Sequence, residues 1–247
     1  MMVTLEVFRD QTLLSRLRDS LRAKVEQTSW LEFDMKMIEK EPLLLSVYAE
    51  TLRRLLAVHI TRCAPDHDIK VNNWLLPRNK VMIINTHLAH MDASVWNTKD
   101  GAHPLDTFWA ERFLIYPNDP ASGPVRKDLH DLPAVPSSGK GDDKTEKSRF
   151  SLDGLQGSFI PFGGEFPRFH PSVAPNGADK RPLGGSRACP GRHLAKRQTL
   201  LLCAMMITRF DIEILADKEA LQLDSSGYGL AIMRSVGKVP FRIRQRK

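Results

Sequence analysis

Arg187-Ala188-Cys189-Pro190-Gly191-Arg192-His193, with the apolar run Leu194, Thr199, Leu200, Leu201, Leu202, Met205, Met206 and Ile207 behind it, is the stretch on which the fold turns. A cysteine two residues after an arginine, then Pro-Gly, then a helix whose positive N-terminal end faces back toward the sulfur, is an arrangement that stabilises a thiolate. Cys189 therefore reads as the ligand of a metal centre. The run behind it predicts a strongly apolar helix that ends near Phe210 and crosses the core.

Working outward, Gly157-Ser158-Phe159-Ile160-Pro161-Phe162-Gly163-Gly164 is an apolar and aromatic stretch closing on two glycines, which let the backbone approach a neighbour closely. Between residues 118 and 149, repeated Pro, Gly, Ser, Asp and Lys predict an irregular, partly mobile surface excursion. His103 to Leu114, with Glu111-Arg112 embedded among aromatics, reads as a packed loop. His87, His90 and Asp92 lie close in sequence without a second ligand cluster, so they read as structural.

Toward the N-terminus, Leu14, Leu17, Leu21 and Val25 recur at helical spacing after Asp10, predicting a capped helix over 11–25. Val3 to Arg9 also reads as helical. A buried helix starts at Pro42 and runs through Leu56, carrying Glu50 and Arg53 on one face as an i,i+3 ion pair. Between residues 68 and 85, short apolar runs predict a hairpin turned by Pro77 and Asn79. The tail, from Ile212 to Leu215 and from Gly227 to Arg244, reads as short strands and turns.

Composition bounds these readings without choosing among them. The 247 residues suffice for one or two domains, and 42% hydrophobic with 26% charged residues excludes disorder of the whole chain. A formal charge of +7 suits an acidic partner, a membrane surface or nucleic acid, or no more than general solubility. Cys63, Cys189 and Cys203 are too few and too far apart for a disulfide framework, which points to a reducing compartment. The N-terminal residues include no apolar stretch of signal-peptide or membrane-spanning length.

Four features taken in order resemble the cytochrome P450 family of haem-thiolate monooxygenases. They are E-x-x-R at Glu50-Thr51-Leu52-Arg53, the aromatic Glu-Arg-Phe motif at Trp109-Ala110-Glu111-Arg112-Phe113, the Cys189 loop with its helix, and the closing Pro240-Phe241-Arg242. The resemblance implies a mainly α fold with small β-sheets (α+β), corresponding to the C-terminal half of the cytochrome P450 fold, as a single partial domain over 1–247. In that fold Val3 to Arg9 would be the end of the long central helix. The acid-alcohol pair used in oxygen activation and the membrane anchor of eukaryotic members would both precede it.

The family's loop pattern is F-x-x-G-x-R-x-C-x-G, and the position seven before Cys189 is Pro182 rather than phenylalanine. Lifting out residues 165–184 joins Phe162-Gly163-Gly164 to Gly185-Ser186-Arg187-Ala188-Cys189-Pro190-Gly191 and restores the pattern. These 20 residues therefore read as an insertion in the cysteine loop, of the kind that non-coding sequence retained in a gene model would leave.

The resemblance assigns roles. Cys189 would be the axial thiolate of haem (heme) iron and Arg187 a propionate partner. Arg62 stands where many members place another propionate partner, and Phe162 matches the aromatic residue packed beneath the haem. Glu50, Arg53 and Arg112 match a buried structural cluster. The implied activity is insertion of one oxygen atom from O2 into a lipophilic small-molecule substrate, with an NADPH-dependent reductase as electron donor. No nucleic-acid motif and no membrane span is read in this chain. Full-length relatives would sit at the endoplasmic reticulum membrane, leaving this anchorless chain on its cytoplasmic side or unplaced. Two alternatives remain open: a catalytically inactive fragment that does not retain haem, and a basic interaction protein.

Overall fold

The computed structural model describes residues 2–25, 34–71, 73–126, 148–163, 189–217 and 219–246. The 165–184 insertion, Arg187 and most of the 118–149 excursion lie outside the described residues.

Helix α1 (Met2–Arg9) breaks at Asp10, whose carboxylate accepts the Leu13 amide at 3.0 Å and so caps α2 (Gln11–Val25), as the sequence predicts. Leu13, Leu14, Leu17 and Leu21 are buried on one face of α2. Helix α3 (Met35–Ile38) is a single turn capped by Asp34, and α4 (Pro42–Leu55) starts at its proline. Leu44 and Val47 of α4 join the α2 leucines in the main core.

Helix α6 (Arg192–Arg209) completes that core, but only through one face: Leu200, Cys203, Ala204 and Ile207 are buried, while Leu194, Leu201 and Leu202 are exposed. The helix expected to cross the core lies against it through one face instead. Its apolar run is longer than the stripe a single packed face requires. The C-terminus of α6 is held by Arg18, which donates to the Ile207 and Phe210 carbonyls at 3.0 and 2.9 Å and to Asp211 at 2.8 Å. A cation there satisfies orphan carbonyls and the negative end of the helix dipole together.

Strand β1 (Leu56–Cys63) leaves α4 with no intervening loop, so Leu56 belongs to the strand rather than to the predicted helix. It forms the centre of a three-stranded antiparallel sheet between β4 (Val81–Asn85) and β9 (Leu230–Ile232), with Ile60 opposite Ile84 and Ala57 opposite Ala231. The hairpin reading is also corrected. β2 (Ile69–Val71) pairs with β3 (Trp74–Leu76) around residues 72 and 73, and the Pro77–Lys80 turn passes the chain to another sheet.

Asn85 caps α5 (Thr86–His90), after which an irregular path leads to β5 (Leu114–Ile115), paired with β6 (Arg149–Phe150). Ala49, Trp96, Phe113, Val125, Leu155 and Phe159 form a second core beneath this path. Here the predicted excursion is corrected at both ends: Val125 is buried, the Asn97 amide donates to Pro124 at 2.8 Å, and Arg149 lies in a strand. Beyond α6, β7 (Phe210–Ile214) pairs with β11 (Phe241–Gln245), and β8 (Leu223–Asp224) with β10 (Arg234–Ser235). No helix among the described residues is long and apolar enough to cross a membrane.

Candidate functional site: a buried charge cluster beneath an exposed cysteine loop

The i,i+3 spacing on α4 brings Arg53 back onto Glu50 through two parallel bonds of 2.8 Å, with both side chains fully buried. Arg112 approaches the same carboxylate through Nε, at 3.2 and 3.1 Å from its two oxygens. Two guanidinium groups thus share one carboxylate, and the excess positive charge is met by main-chain oxygens. Arg53 donates to His90 at 2.9 Å and Leu105 at 2.7 Å, and Arg112 donates to Asn97, His103 and Pro104. The Trp109 amide donates to Glu50 at 3.3 Å, and the Trp109 ring lies 5.0 Å under the Arg112 guanidinium. Burial pulls the Arg112 pKa below its ordinary value, against the opposing attraction of Glu50.

His90 borders this cluster. Its Nε2 accepts the buried Ile160 amide at 3.2 Å, and its ring lies 5.5 Å from Phe159. Burial, helped by the Arg53 charge, pushes its pKa down to about 4. The neutral ring is therefore a packing and acceptor group that joins α5 to the segment leading into Phe162. His87 is half-buried, edge-on to Tyr228 at 5.3 Å. Among the described residues no group of three His, Cys, Asp or Glu side chains is placed to hold a metal.

That segment ends at the cysteine loop. Phe162 packs against the main core, and Gly163 has a φ of 65°, a left-handed conformation that glycine adopts without strain. The Cys189 amide donates to the Phe162 carbonyl at 3.1 Å, so the two halves of the interrupted pattern meet in space. The Cys189 carbonyl accepts from the Arg192 amide at 3.3 Å and from its guanidinium at 3.0 Å. Gly191 is the N-cap of α6, and a Cβ built there would lie 3.8 Å from the Cys189 sulfur. The exposed sulfur is therefore beside the N-terminal end of an 18-residue helix.

Arg62 approaches from β1. Its Nη1 donates to the Thr61 carbonyl at 2.8 Å, and its Nη2 lies 3.8 Å from where a Gly163 Cβ would be. Among the described residues no carboxylate pairs with it. Phe162, Gly163, Cys189 and Arg62 are thus neighbours, and this donor set fits a planar metal complex bearing carboxylates: a soft, outward sulfur for the metal, and a half-buried cation for an acid group. The sequence reading missed the main-chain acceptors at Asn97, Leu105 and His90. The Asn97 side chain, which accepts from the Lys99 amide and donates to the Ala121 and Gly123 carbonyls, was the findable feature of this loop, since an asparagine before a Lys-Asp-Gly turn signals such bonding.

The family model for cytochrome P450 matches residues 1–114. Over 250 residues the chain is 37% identical to the cytochrome P450 monooxygenase fsoE of Humicola fuscoatra, covering 98% of this chain and 38% of that protein. It is 36% identical to the cytochrome P450 monooxygenase efuG of Hormonema carpetanum, covering 98% of this chain and 39% of the relative. The chain therefore spans about two fifths of the length of the curated relatives it matches. Retinoic acid-bound cyanobacterial CYP120A1 superposes on 99% of the chain with a TM-score of 0.57 at 17% identity, over 42% of that structure. With E-x-x-R, the second arginine and the cysteine loop assembled as described, and with near-complete coverage of the chain by these monooxygenases, the chain belongs to the cytochrome P450 family.

Proposed function

We propose that this chain supplies the thiolate-binding part of a haem monooxygenase that inserts one oxygen atom from O2 into a lipophilic small molecule, with electrons from an NADPH-dependent reductase. The hydrogen bond from the Cys189 amide to the Phe162 carbonyl carries the reading, because it seats the cysteine next to the aromatic residue and the β1 arginine. Haem, when bound, would supply the oxygen chemistry, and a thiolate on its iron would favour O–O cleavage.

The residues of this chain have separate tasks. Cys189 gives the sulfur, placed beside the N-terminal end of α6. Gly191 keeps side-chain bulk away from that sulfur. Arg62 would hold one propionate, and Arg187, two residues before the ligand in sequence, would hold another. Phe162, packed against the main core, would line the haem site. The Glu50–Arg53–Arg112 cluster sets the position of α4, and hence of β1 and Arg62, relative to the loops around Asn97 and Leu105. Exposed His193 and Arg197, the latter paired with Glu39, and half-buried Arg192 and Lys196 give the cysteine side of the molecule a basic surface suited to an acidic electron donor.

The test is haem reconstitution followed by reduction and addition of carbon monoxide. A red-shifted Soret band, absent in Cys189→Ala, is the expected result. Haem uptake with an unshifted band, or an equal band in Cys189→Ala, would overturn the ligand assignment. A folded chain that takes up no haem would leave the inactive-fragment reading in its place.

A further inference from the structure

Among the described residues β11 pairs with β7 alone, and all five of its residues are exposed. The Leu215 amide donates to the Pro240 carbonyl at 2.9 Å, and the Arg246 amide to the Arg209 carbonyl at 2.8 Å. Alternation from these two bonds turns the main chain of Arg242 and Arg244 toward β7. It turns that of Phe241, Ile243 and Gln245 outward, where no partner meets them among the described residues. The other side of β7 is closed by Arg18, which donates to the Phe210 carbonyl.

Side chains divide the same strand by face. Phe241 and Ile243 stand opposite Ile214 and Ile212, and Phe241 and Ile214 border an apolar cavity over Leu5, Phe8, Leu202 and Met206. On the other face Arg242 pairs with Glu213 at 2.7 Å, while Asp211 is shared by Arg18 at 2.8 Å, Arg244 at 3.6 Å and Arg246 at 3.7 Å. Four guanidinium groups thus answer to two carboxylates. Both acids sit on β7, one strand inside the edge, so a strand approaching β11 meets Arg242 and Arg244 first.

We propose that β11 takes an extended acidic peptide of a partner protein by strand addition. The peptide main chain bonds Phe241, Ile243 and Gln245, its acidic side chains lie beside Arg242 and Arg244, and its alternate apolar side chains extend the face over the cavity. The site is at the far end of the 18-residue α6, about 27 Å from the cysteine loop, and does not rest on haem binding. A second copy suits this edge poorly, because antiparallel registers centred on Arg242, Ile243 or Arg244 each set arginine opposite arginine. A nucleic acid matches the charge but has no strand-forming main chain and no apolar side chains for the cavity face.

Fluorescence anisotropy tests this with the full chain and a labelled peptide of alternating glutamate and valine, against a lysine and valine peptide of the same length. Saturable binding of the glutamate peptide alone is expected, weakening at about 0.5 M salt. Arg242→Ala/Arg244→Ala should weaken it at least about tenfold at unchanged circular dichroism, since both side chains are largely in solvent. Ile243→Pro removes an outward amide without touching the β7 ladder and should weaken binding comparably, whereas Ile243→Ala should keep most of it. In hydrogen exchange the Phe241, Ile243 and Gln245 amides should be unprotected in the free chain and slowed by the peptide. Protection before peptide is added would mean that the chain's own residues or a second copy already cover the edge, and would overturn the proposal. So would equal binding of the lysine peptide, no saturable binding, or binding retained by Ile243→Pro, which would reduce the contact to charge attraction.

Discussion

The Glu50–Arg53–Arg112 cluster and the Cys189 loop use the same kinds of groups, cations beside anions and main-chain dipoles, in opposite ways. In the cluster every charge is answered from within the protein: one carboxylate takes both guanidinium groups, and main-chain carbonyls take the remaining N–H groups. At the loop the polar groups face outward, with the Cys189 sulfur exposed and Arg62 opposed by no carboxylate among the described residues. Self-satisfied charge makes a fixed scaffold, and outward charge makes a binding surface. Mutations in the two regions should therefore separate, with stability responding to the first and ligand binding to the second.

The largest effect is expected at Glu50. Glu50→Gln leaves two buried guanidinium groups without their shared anion and should cost about 3 to 5 kcal/mol of folding stability. Urea unfolding should show a large drop in the midpoint or a chain recovered mostly insoluble. A loss below about 1 kcal/mol would mean that the main-chain acceptors suffice and that the cluster is not the scaffold described.

His90 gives the next largest effect, and the sign follows from its lowered pKa. The folded value of about 4 lies below the ordinary 6.5, so the unfolded chain binds the extra proton first. The stability contributed is full above about pH 6.5 and is lost as pH falls toward 4, by up to about 3 kcal/mol. Protonation also removes the lone pair that accepts the Ile160 amide. His90→Gln, which keeps an acceptor but does not titrate, should flatten that part of the stability profile. An unchanged slope in the variant would assign the acid sensitivity elsewhere.

These two regions were not equally legible in the sequence. The helices carrying Leu14, Leu17 and Leu21 and carrying Glu50 and Arg53 were readable because 3.6-residue spacing and caps are local signals. The β1 strand was missed because the apolar run of α4 passes into Leu56 without a glycine or proline between. Its evidence was the alternation of β-branched Val58 and Ile60 with polar His59 and Thr61. The wrong partner for Val81–Asn85 arose because the nearest strand in sequence was β3, while register is set by packing that no local pattern encodes. Arg112 was picked out by motif alone. Its acceptors at Asn97, His103 and Pro104 are carbonyls, which every residue has and no sequence marks. The loop was readable as Phe162 plus Cys189, but their contact across the intervening segment is a tertiary fact.

A smaller effect is expected where the two regions meet, at Gly163. Gly163→Ala puts a Cβ into ordinary contact, 3.5 Å from Ile60, so its cost is the left-handed backbone at φ 65°, about 1 to 2 kcal/mol. Haem affinity should fall with it, because the same residue adjoins Arg62. A stability change with unaltered haem uptake would place Gly163 in the scaffold alone.

The smallest stability effect and the clearest separation belong to Arg62 and Cys189. Cys189→Ala should destabilise the fold by less than about 0.5 kcal/mol, as an exposed side chain with no side-chain partner among the described residues. Arg62→Ala should be comparably mild, since its recorded bond is to the adjacent Thr61 carbonyl. In haem titrations, however, Arg62→Ala should weaken binding about tenfold by removing one charge-assisted bond, and Arg62→Lys should recover part of that loss without the paired geometry of a guanidinium. The contrast between scaffold and binding surface fails if Arg62→Ala unfolds the chain, or if it leaves haem affinity unchanged while Glu50→Gln lowers affinity in protein that is still folded. In that case the propionate would be held from the α4 side of the molecule, and the self-satisfied cluster would be part of the binding surface after all.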